Sequence, residues 1–204
     1  MATRVVRPED VDKVADVLAA AFRSCPLNGY MVRRSDSTWS ADNIPVDVLR
    51  PHFRESTAKK LAWGAEVVEA GDWAAVAIWF PPGTAPAEGP DADPRILEFR
   101  ETFARVKKEH LEDRPYWYLN VIGRHPERRE PGAVRALIDP YLQRARAQGL
   151  PVWLEAVTEH SRQVYKHLGF REVAQVRIAV SKANARGEFQ EGGEGLLIYG
   201  MIAE

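Results

Sequence analysis

The chain has 204 residues, of which 45% are hydrophobic, and its 28 basic and 29 acidic residues give a formal net charge of −1. A chain of this length and apolar content can bury a sizeable core, and we expect one domain over residues 1–204. The balanced charge excludes a bulk attraction to nucleic acids or anionic membranes. The single cysteine, Cys25, excludes an intrachain disulfide and is typical of a reducing compartment.

No part of the sequence predicts export or membrane insertion. The N-terminus has no apolar stretch long enough for a secretory signal. The longest apolar run, residues 74–80, is far shorter than the roughly 20 residues of a membrane-spanning helix. The five histidines lack the spacing that would bring several of them onto one face, so we expect no metal site. These patterns predict a cytoplasmic protein.

Strand and helix patterns alternate along the N-terminal part of the chain. A short strand is predicted over residues 3–7. An amphipathic helix follows from Pro8, with acidic residues in its first turn. We expect residues 25–29 to end that helix and residues 35–45 to form a surface loop. A second helix is predicted over residues 45–63 because Gly64 follows as a stop signal.

The middle of the sequence carries a hairpin signal and a third helix. The dipeptide Gly71-Asp72 separates two apolar runs and predicts a two-residue turn between paired strands. Residues 81–94 are rich in proline and predict an irregular connection. Residues 95–113 have their apolar side chains at helical spacing.

A strand, a helix, a second strand, a short helix and a third strand are predicted, in this order, in the C-terminal half. Residues 116–122 are aromatic, β-branched or aliphatic except for Asn120, as in a strand covered on both faces. An amphipathic helix is predicted from Gly132 to residue 148, and residues 151–156 form a short buried strand. Two parallel strands joined by a helix make a right-handed crossover, whose ligands are expected at the carboxyl ends of the strands.

Four motifs in this half carry a family resemblance. They are Tyr116-Trp-Tyr-Leu-Asn-Val-Ile-Gly-Arg-His-Pro126, Arg129-Glu-Pro-Gly132, Trp153-Leu-Glu155 and Tyr165-Lys-His-Leu-Gly-Phe170. Their order and spacing resemble the acyl-CoA-binding half of the GNAT superfamily of N-acyltransferases, in particular the branch that contains puromycin N-acetyltransferase. The resemblance implies an α/β GNAT fold, a mixed central sheet with helices on both faces. Residues 3–113 would form the acceptor-side half and residues 114–204 the acyl-CoA-binding half.

The resemblance also implies how an acyl-CoA donor, such as acetyl-CoA, would bind. Exposed amides of a bulged, splayed central strand would hold the pantetheine arm. Amides at the following helix N-terminus would hold the pyrophosphate, since unpaired amides and the positive helix end favour an anion. A serine stands where this branch carries an asparagine four residues before the motif tyrosine. The cofactor-binding candidates are therefore Asn120, Val121, Ile122, Arg129, Gly132, Ala133, Val134 and Ser161.

Three residues are candidates for the chemistry. In the family, a tyrosine at the position of Tyr165 often protonates the departing CoA thiolate, and a carboxylate at the position of Glu155 serves as a general base through water. His160 is added because it lies just past the second strand, near the place where an acceptor would react. The implied activity is direct transfer of the acyl group to a small-molecule amine, because the sequence offers no credible nucleophile for a covalent intermediate.

The pyrophosphate loop departs from the family pattern and leaves two alternatives open. Pro131 has no amide donor, and Val134 stands where the family has glycine or alanine. One alternative is a fold kept without CoA, in which Glu155, His160 and Tyr165 catalyse a lyase, isomerase or cyclase step on an apolar small molecule. A non-catalytic binding protein is the other alternative. The sequence identifies neither the acceptor nor the oligomeric state.

Overall fold

A computed structural model of the chain arranges its strands in one mixed sheet. The structure describes residues 1–87, 89, 92–128 and 130–204. The strands are β1 Thr3–Val5, β2 Glu66–Ala70, β3 Ala75–Phe80, β4 Trp117–Arg124, β5 Val152–Ala156, β6 Arg171–Ile178 and β7 Leu196–Ala203. They form a seven-stranded sheet in the order β1-β2-β3-β4-β5-β7-β6. Strands β4 and β5 are parallel, and the other neighbours are antiparallel.

The helices lie close to the predicted positions. They are α1 Val11–Ala21, α2 Pro26–Val32, α3 Val46–Ala62, α4 Pro94–Leu111, α5 Ala133–Gln148 and α6 Glu159–His167, with a 3-10 turn at Pro8–Asp10 before α1. The predictions that correspond to α1, α3, α4, α5 and α6 are confirmed. Within the part of the chain that the structure describes, every helix is too short or too polar to cross a bilayer.

Helices cover both faces of the sheet, so the predicted mixed α/β architecture is confirmed. Successive side chains of a strand point to opposite faces. Tyr118 of β4 belongs to a buried cluster with Phe103 of α4 and with side chains of α1 and α3. Its neighbour Leu119 belongs to a second cluster with Leu137 of α5 and Tyr165 of α6. One face of the sheet is therefore packed by α1, α3 and α4, and the other by α5 and α6.

Two local predictions were wrong. Residues 25–29 are predicted only to end the first helix, but Pro26 begins a further helix, α2. Proline suits the first helical position, where its fixed φ fits and its missing N–H is not needed. The tight turn between β2 and β3 is one residue later than predicted. Its central residues are Asp72 and Trp73, with φ values of 50° and 68°, the positive φ that a type I′ turn requires.

Strand β7 was not predicted, and it lies between β5 and β6, antiparallel to both. The predicted irregular connection over residues 81–94 forms no strand among its described residues, and its last residue begins α4. Residues 88, 90 and 91 of that connection lie outside the described part of the chain.

Gly123 lets helix α1 lie directly on β4. A Cβ at this position would lie 2.9 Å from Leu18 Cδ2 and 3.0 Å from Ala21 Cβ, and the alanine methyl group cannot rotate away. We expect Gly123→Ala to lower the free energy of unfolding by about 1–3 kcal/mol, the usual cost of overpacking. Urea denaturation measures this change.

The matched control is Gly29, which lies inside helix α2. A Cβ there would meet Ile44 Cδ1 at 3.4 Å, an ordinary contact. Because alanine favours helix over glycine by roughly 1 kcal/mol, Gly29→Ala should leave stability unchanged or raise it. An equal loss of stability in both variants would contradict the proposed close contact between α1 and β4.

Candidate functional site

A cleft of about 1180 Å³ opens at the carboxyl ends of β4 and β5. Its wall is built by β4, by the loop that follows β5 and by the start of α6. Side chains of α2, α3 and α4 complete it on the other side. The cleft therefore lies where ligands of parallel strands were expected to gather, and side chains from both faces of the sheet reach it.

Strands β4 and β5 separate at this cleft. They pair from Trp117↔Val152 to Leu119↔Leu154 and no further. On its other edge, β4 shifts register against β3, so that Asn120 is an extra residue between two paired positions. Such a bulge bends a strand and increases its twist. The backbone groups of β4 that face β5 beyond Leu119 therefore have no ladder partner and border the cleft.

Glu155 is the centre of a buried polar network at the end of β5. Tyr118 Oη donates a hydrogen bond to Glu155 Oε2 at 2.6 Å, and Trp153 Nε1 donates to Oε1 at 2.7 Å. Lys107 Nζ, on α4, lies 3.0 Å from the same Oε1. The Glu155 side chain is only 3% exposed. Three protein donors thus replace the water that this carboxylate has lost.

Asn120 extends this network into the bulge. Its Nδ2 donates a hydrogen bond to Tyr118 Oη at 2.9 Å. Its Oδ1 is buried and accepts no hydrogen bond from any described residue. Burial, together with the negative charge of Glu155, raises the pKa of Tyr118 well above its ordinary value, so Tyr118 remains a donor. The unused oxygen of Asn120 is an acceptor in the wall of the cleft.

Tyr165 reaches the cleft from the other face of the sheet. Its ring packs edge-on against Phe170, with centroids 5.9 Å apart, and it belongs to the cluster beneath α5 and α6. Its hydroxyl makes no hydrogen bond to another described residue. Burial raises the pKa of Tyr165, and the charge of Glu155 raises it further. The phenol is therefore protonated at neutral pH.

The other predicted residues of β4 and α6 also border the cleft, but they differ in exposure and in hydrogen bonding. Val121 and Ile122 line its β4 wall. His160 is exposed at the rim, in the first turn of α6. Ser161 also borders the cleft, but its hydroxyl is engaged in a capping box, in which it accepts a hydrogen bond from the Thr158 amide at 3.1 Å.

The described residues of the predicted pyrophosphate loop, 130–134, lie outside the wall of this cleft. Gly132 precedes α5 with φ of 82°, and a Cβ there would meet no atom within 4 Å. The first amides of α5, at Ala133 and Val134, have no partner within the helix, and they sit at its positive end. The Val134 side chain packs against the core cluster of α5. Arg129 lies outside the described residues.

Arg128, beside this loop, is already engaged. It donates hydrogen bonds to the carbonyl oxygens of Gly71 and Asp72, both at 2.9 Å, and pairs with Glu130 at 2.5 Å. It therefore ties the loop to the β2–β3 turn. In the described part of this loop, the backbone amides remain to bind an anion at the α5 N-terminus.

Two residues of the Glu155 network were not predicted. Tyr118 was assigned only to a buried strand, although it shares a strand face with Asn120 two residues later. Alternation along the strand was the signal that could have placed both beside the carboxylate. Lys107 is one of many charged residues on α4, and no local pattern distinguishes it.

Comparisons with known proteins agree with this architecture. A family model described as the YOR012W acetyl transferase domain matches residues 6–85. The uncharacterized protein YDR391C of Saccharomyces cerevisiae is 28% identical over 200 residues, which cover 95% of this chain and 83% of that protein. The uncharacterized N-acetyltransferase C550.08 of Schizosaccharomyces pombe is 25% identical over 205 residues, covering 91% and 80% of the two chains.

A solved structure shows the same fold over the full length. The polyamine N-acetyltransferase of Drosophila melanogaster superposes with a TM-score of 0.65 at 13% identity, covering 100% of this chain and 99% of that one. At this identity the likeness establishes the fold alone, and the chain has the GNAT fold. The matched acetyltransferase domain and this fold together support an N-acetyltransferase.

Proposed function

We propose that the protein transfers the acetyl group of acetyl-CoA directly to a small-molecule amine. The observation that carries this proposal is the position of two groups at one cleft. A buried carboxylate, Glu155, reaches it from the α4 face of the sheet, and a protonated phenol, Tyr165, reaches it from the α6 face. The Drosophila enzyme of the same fold forms N-acetylagmatine, a small-molecule product. The buried Cys25 fits a reducing compartment such as the cytoplasm.

Acetyl-CoA would lie between the separated strands. The unpaired backbone groups of residues 120–122 would bind the pantetheine arm, and the buried Oδ1 of Asn120 offers it one more acceptor. The free amides at the start of α5, after Gly132, would bind the pyrophosphate. Ser161 would border the arm from α6. A role for Arg129 beside the phosphates rests on its sequence position.

The transfer step places the acceptor amine on the Glu155 side. The amine gives a proton towards Glu155, directly or through a water molecule, and its nitrogen attacks the thioester carbon. The new C–N bond forms, and a β4 amide stabilises the negative charge on the carbonyl oxygen. The C–S bond then breaks, and Tyr165 donates its proton to the thiolate. His160, exposed at the rim, would contact the body of the acceptor.

The alternative function, acid–base catalysis without CoA, is favoured by the altered pyrophosphate loop. Pro131 removes an amide donor from the loop, and Val134 keeps its larger side chain beside the first free amides. In that case Glu155 and Tyr165 would act on a substrate that carries no thioester. Acetyl-CoA binding distinguishes this reading from acetyl transfer.

The deciding measurement is acetyl-CoA binding by calorimetry and thermal unfolding. A ligand at about 100 times its dissociation constant stabilises the folded state by about 2.7 kcal/mol, which shifts the melting temperature visibly. We expect acetyl-CoA to bind more tightly than S-acetylpantetheine, which lacks the pyrophosphate. Equal affinities would show that the α5 amides contribute nothing. Neither heat nor a melting shift at millimolar acetyl-CoA would refute the proposal and favour chemistry without CoA.

A further inference from the structure

We propose that the acceptor is a monoamine with an apolar body of about the size of an aromatic ring, and that the site selects against diamines and polyamines. The inference rests on the proposed acetyl transfer and names the acceptor class of that same site. Two observations carry it: an apolar chamber on the sheet face that α1, α3 and α4 cover, and a buried carboxylate that already has a cationic partner.

The apolar chamber lies between α2, α3 and α4. Half-buried side chains from α1–α2 and α4 line it and pack against the core cluster of that sheet face, and a buried ring of α3 closes it. Burying an apolar group the size of one of these side chains contributes about 1.5–3 kcal/mol, which is roughly a 10–150-fold effect on binding. The apolar side chains of the chamber include Phe22, Leu27, Met31, Phe53 and Phe99.

The same chamber has no spare carboxylate for a second ammonium group. Among the described residues that line the cleft, the acidic ones are Asp113 and Glu155. Asp113 is exposed at the surface. Glu155 is paired with Lys107, whose ammonium also lies 3.8 Å from the centre of the Tyr118 ring.

Lys107 therefore disfavours a second cationic group in the cleft, a role that we call the charge filter. Its side chain is only 16% exposed, and its charge compensates that of Glu155, so a second cation finds no net negative charge at this end of the cleft. A monoamine can deliver one neutral nitrogen to this end of the cleft and bury its apolar body in the chamber. A diamine must either bury a charged group among apolar side chains or lose its proton. This chain and the Drosophila enzyme are thus expected to use different acceptors although they share a fold.

The test compares hexylamine with pentane-1,5-diamine, which replaces a terminal methyl group by an ammonium group at equal length. With saturating acetyl-CoA, release of the CoA thiol gives kcat/KM for each amine. We expect hexylamine and 2-phenylethylamine to exceed the diamine and agmatine by at least about 10-fold. A diamine used equally well or better would overturn the inference while leaving acetyl transfer in place.

Calorimetry with the amines alone, at a pH at which they are partly deprotonated, keeps the two proposals apart. Tighter binding of hexylamine than of the diamine, without any turnover, would support the acceptor class and refute acetyl transfer. Equal binding of the two amines would refute the acceptor class whether or not acetyl-CoA is turned over.

The charge filter is tested by Lys107→Met. Loss of the ammonium frees Glu155 for a cationic ligand, so the hexylamine-to-diamine ratio of kcat/KM should fall about 10-fold or more. Lys59→Met is the matched control, because Lys59 pairs with Glu55 at 2.6 Å on the exposed side of α3. An unchanged ratio in Lys107→Met, or the same fall in Lys59→Met, would overturn the role of Lys107.

A second pair of variants covers the case in which Lys107→Met does not fold. Met31→Glu places a carboxylate in the chamber, and Met31→Gln places a neutral side chain of similar size there. Only the glutamate should improve use of the diamine relative to hexylamine. If both variants change the ratio equally, charge does not decide acceptor choice and the inference is wrong.

Discussion

Replacing Tyr165 with phenylalanine is expected to lower kcat by about 10²–10⁴-fold, the usual contribution of a positioned acid, with little change in the dissociation constant of acetyl-CoA. The hydroxyl makes no hydrogen bond to another described residue, so its removal leaves no protein group without a partner. Stopped-flow or steady-state measurement of CoA release gives kcat, and calorimetry gives the acetyl-CoA affinity.

Tyr141→Phe is the matched control for this variant. Tyr141 is also a buried tyrosine of the second core cluster, but its hydroxyl donates a hydrogen bond to Glu66 at 2.8 Å, and its ring stacks on Trp79 away from the cleft. The control should lose about 1 kcal/mol of stability and keep its turnover. Tyr165→Phe with wild-type kcat would make Tyr165 a packing residue and remove the acid from the mechanism.

The pH dependence follows from the same burial. Because burial and the negative charge of Glu155 raise the pKa of Tyr165, the acid form persists through the neutral range. A loss of kcat caused by deprotonation of this group is expected only at strongly alkaline pH. Its raised pKa also means that the stability gained by keeping the phenol neutral is present below its ordinary pKa and is lost only as the pH rises towards the folded-state value.

Much of the fold follows from periodicity, and the errors have identifiable physical causes. Helical periodicity and strand composition predicted β4, α5 and β5 in the correct order, because each of these segments has one clear pattern of apolar residues. The motif Tyr165 to Phe170 indicated α6. The segment 25–29 predicts a helix end, whereas Pro26 at the first helical position favours a helix. The insertion of β7 between β5 and β6 is a pairing of distant segments, and neither strand carries a local sign of its neighbour.

The candidate site divides in the same way. Motif position indicated Glu155 and Tyr165, and the two strands that hold the cleft open, because these features are local in sequence. The partners of Glu155 are not local. Tyr118 is 37 residues away along the chain, and Lys107 lies on α4, which packs on the same face of the sheet as Tyr118. Only the packing of α4 on the sheet brings that charge to the carboxylate, so no sequence pattern could separate it from the solvated lysines nearby.

Glu155→Gln is expected to lower kcat/KM for the amine by about 10²–10⁴-fold and to leave acetyl-CoA binding nearly unchanged. The amide keeps the size of the side chain and accepts hydrogen bonds through one oxygen, but it takes no proton from the acceptor. Glu66→Gln, which alters a carboxylate bound by Tyr141 and Arg144 outside the cleft, is the control. Wild-type kcat/KM in Glu155→Gln would remove the general base.

Stability separates the catalytic role of Glu155 from its structural one. Glu155→Gln leaves the poorly exposed ammonium of Lys107 without a counter-ion, and breaking a buried pair in this way costs on the order of 3 kcal/mol. Lys107→Met leaves the carboxylate uncompensated at a similar cost. The double variant removes both charges, so its loss of unfolding free energy should be well below the sum of the two single losses.

The double variant then decides what the ion pair is for. If Glu155 is the base, Lys107→Met/Glu155→Gln recovers stability in chemical denaturation but stays as inactive as Glu155→Gln. If the pair only holds α4 against the sheet, activity returns together with stability, because a neutral pair maintains the same packing. Recovery of turnover in the double variant would therefore contradict proton transfer to Glu155 and leave the carboxylate as a structural anchor for Lys107.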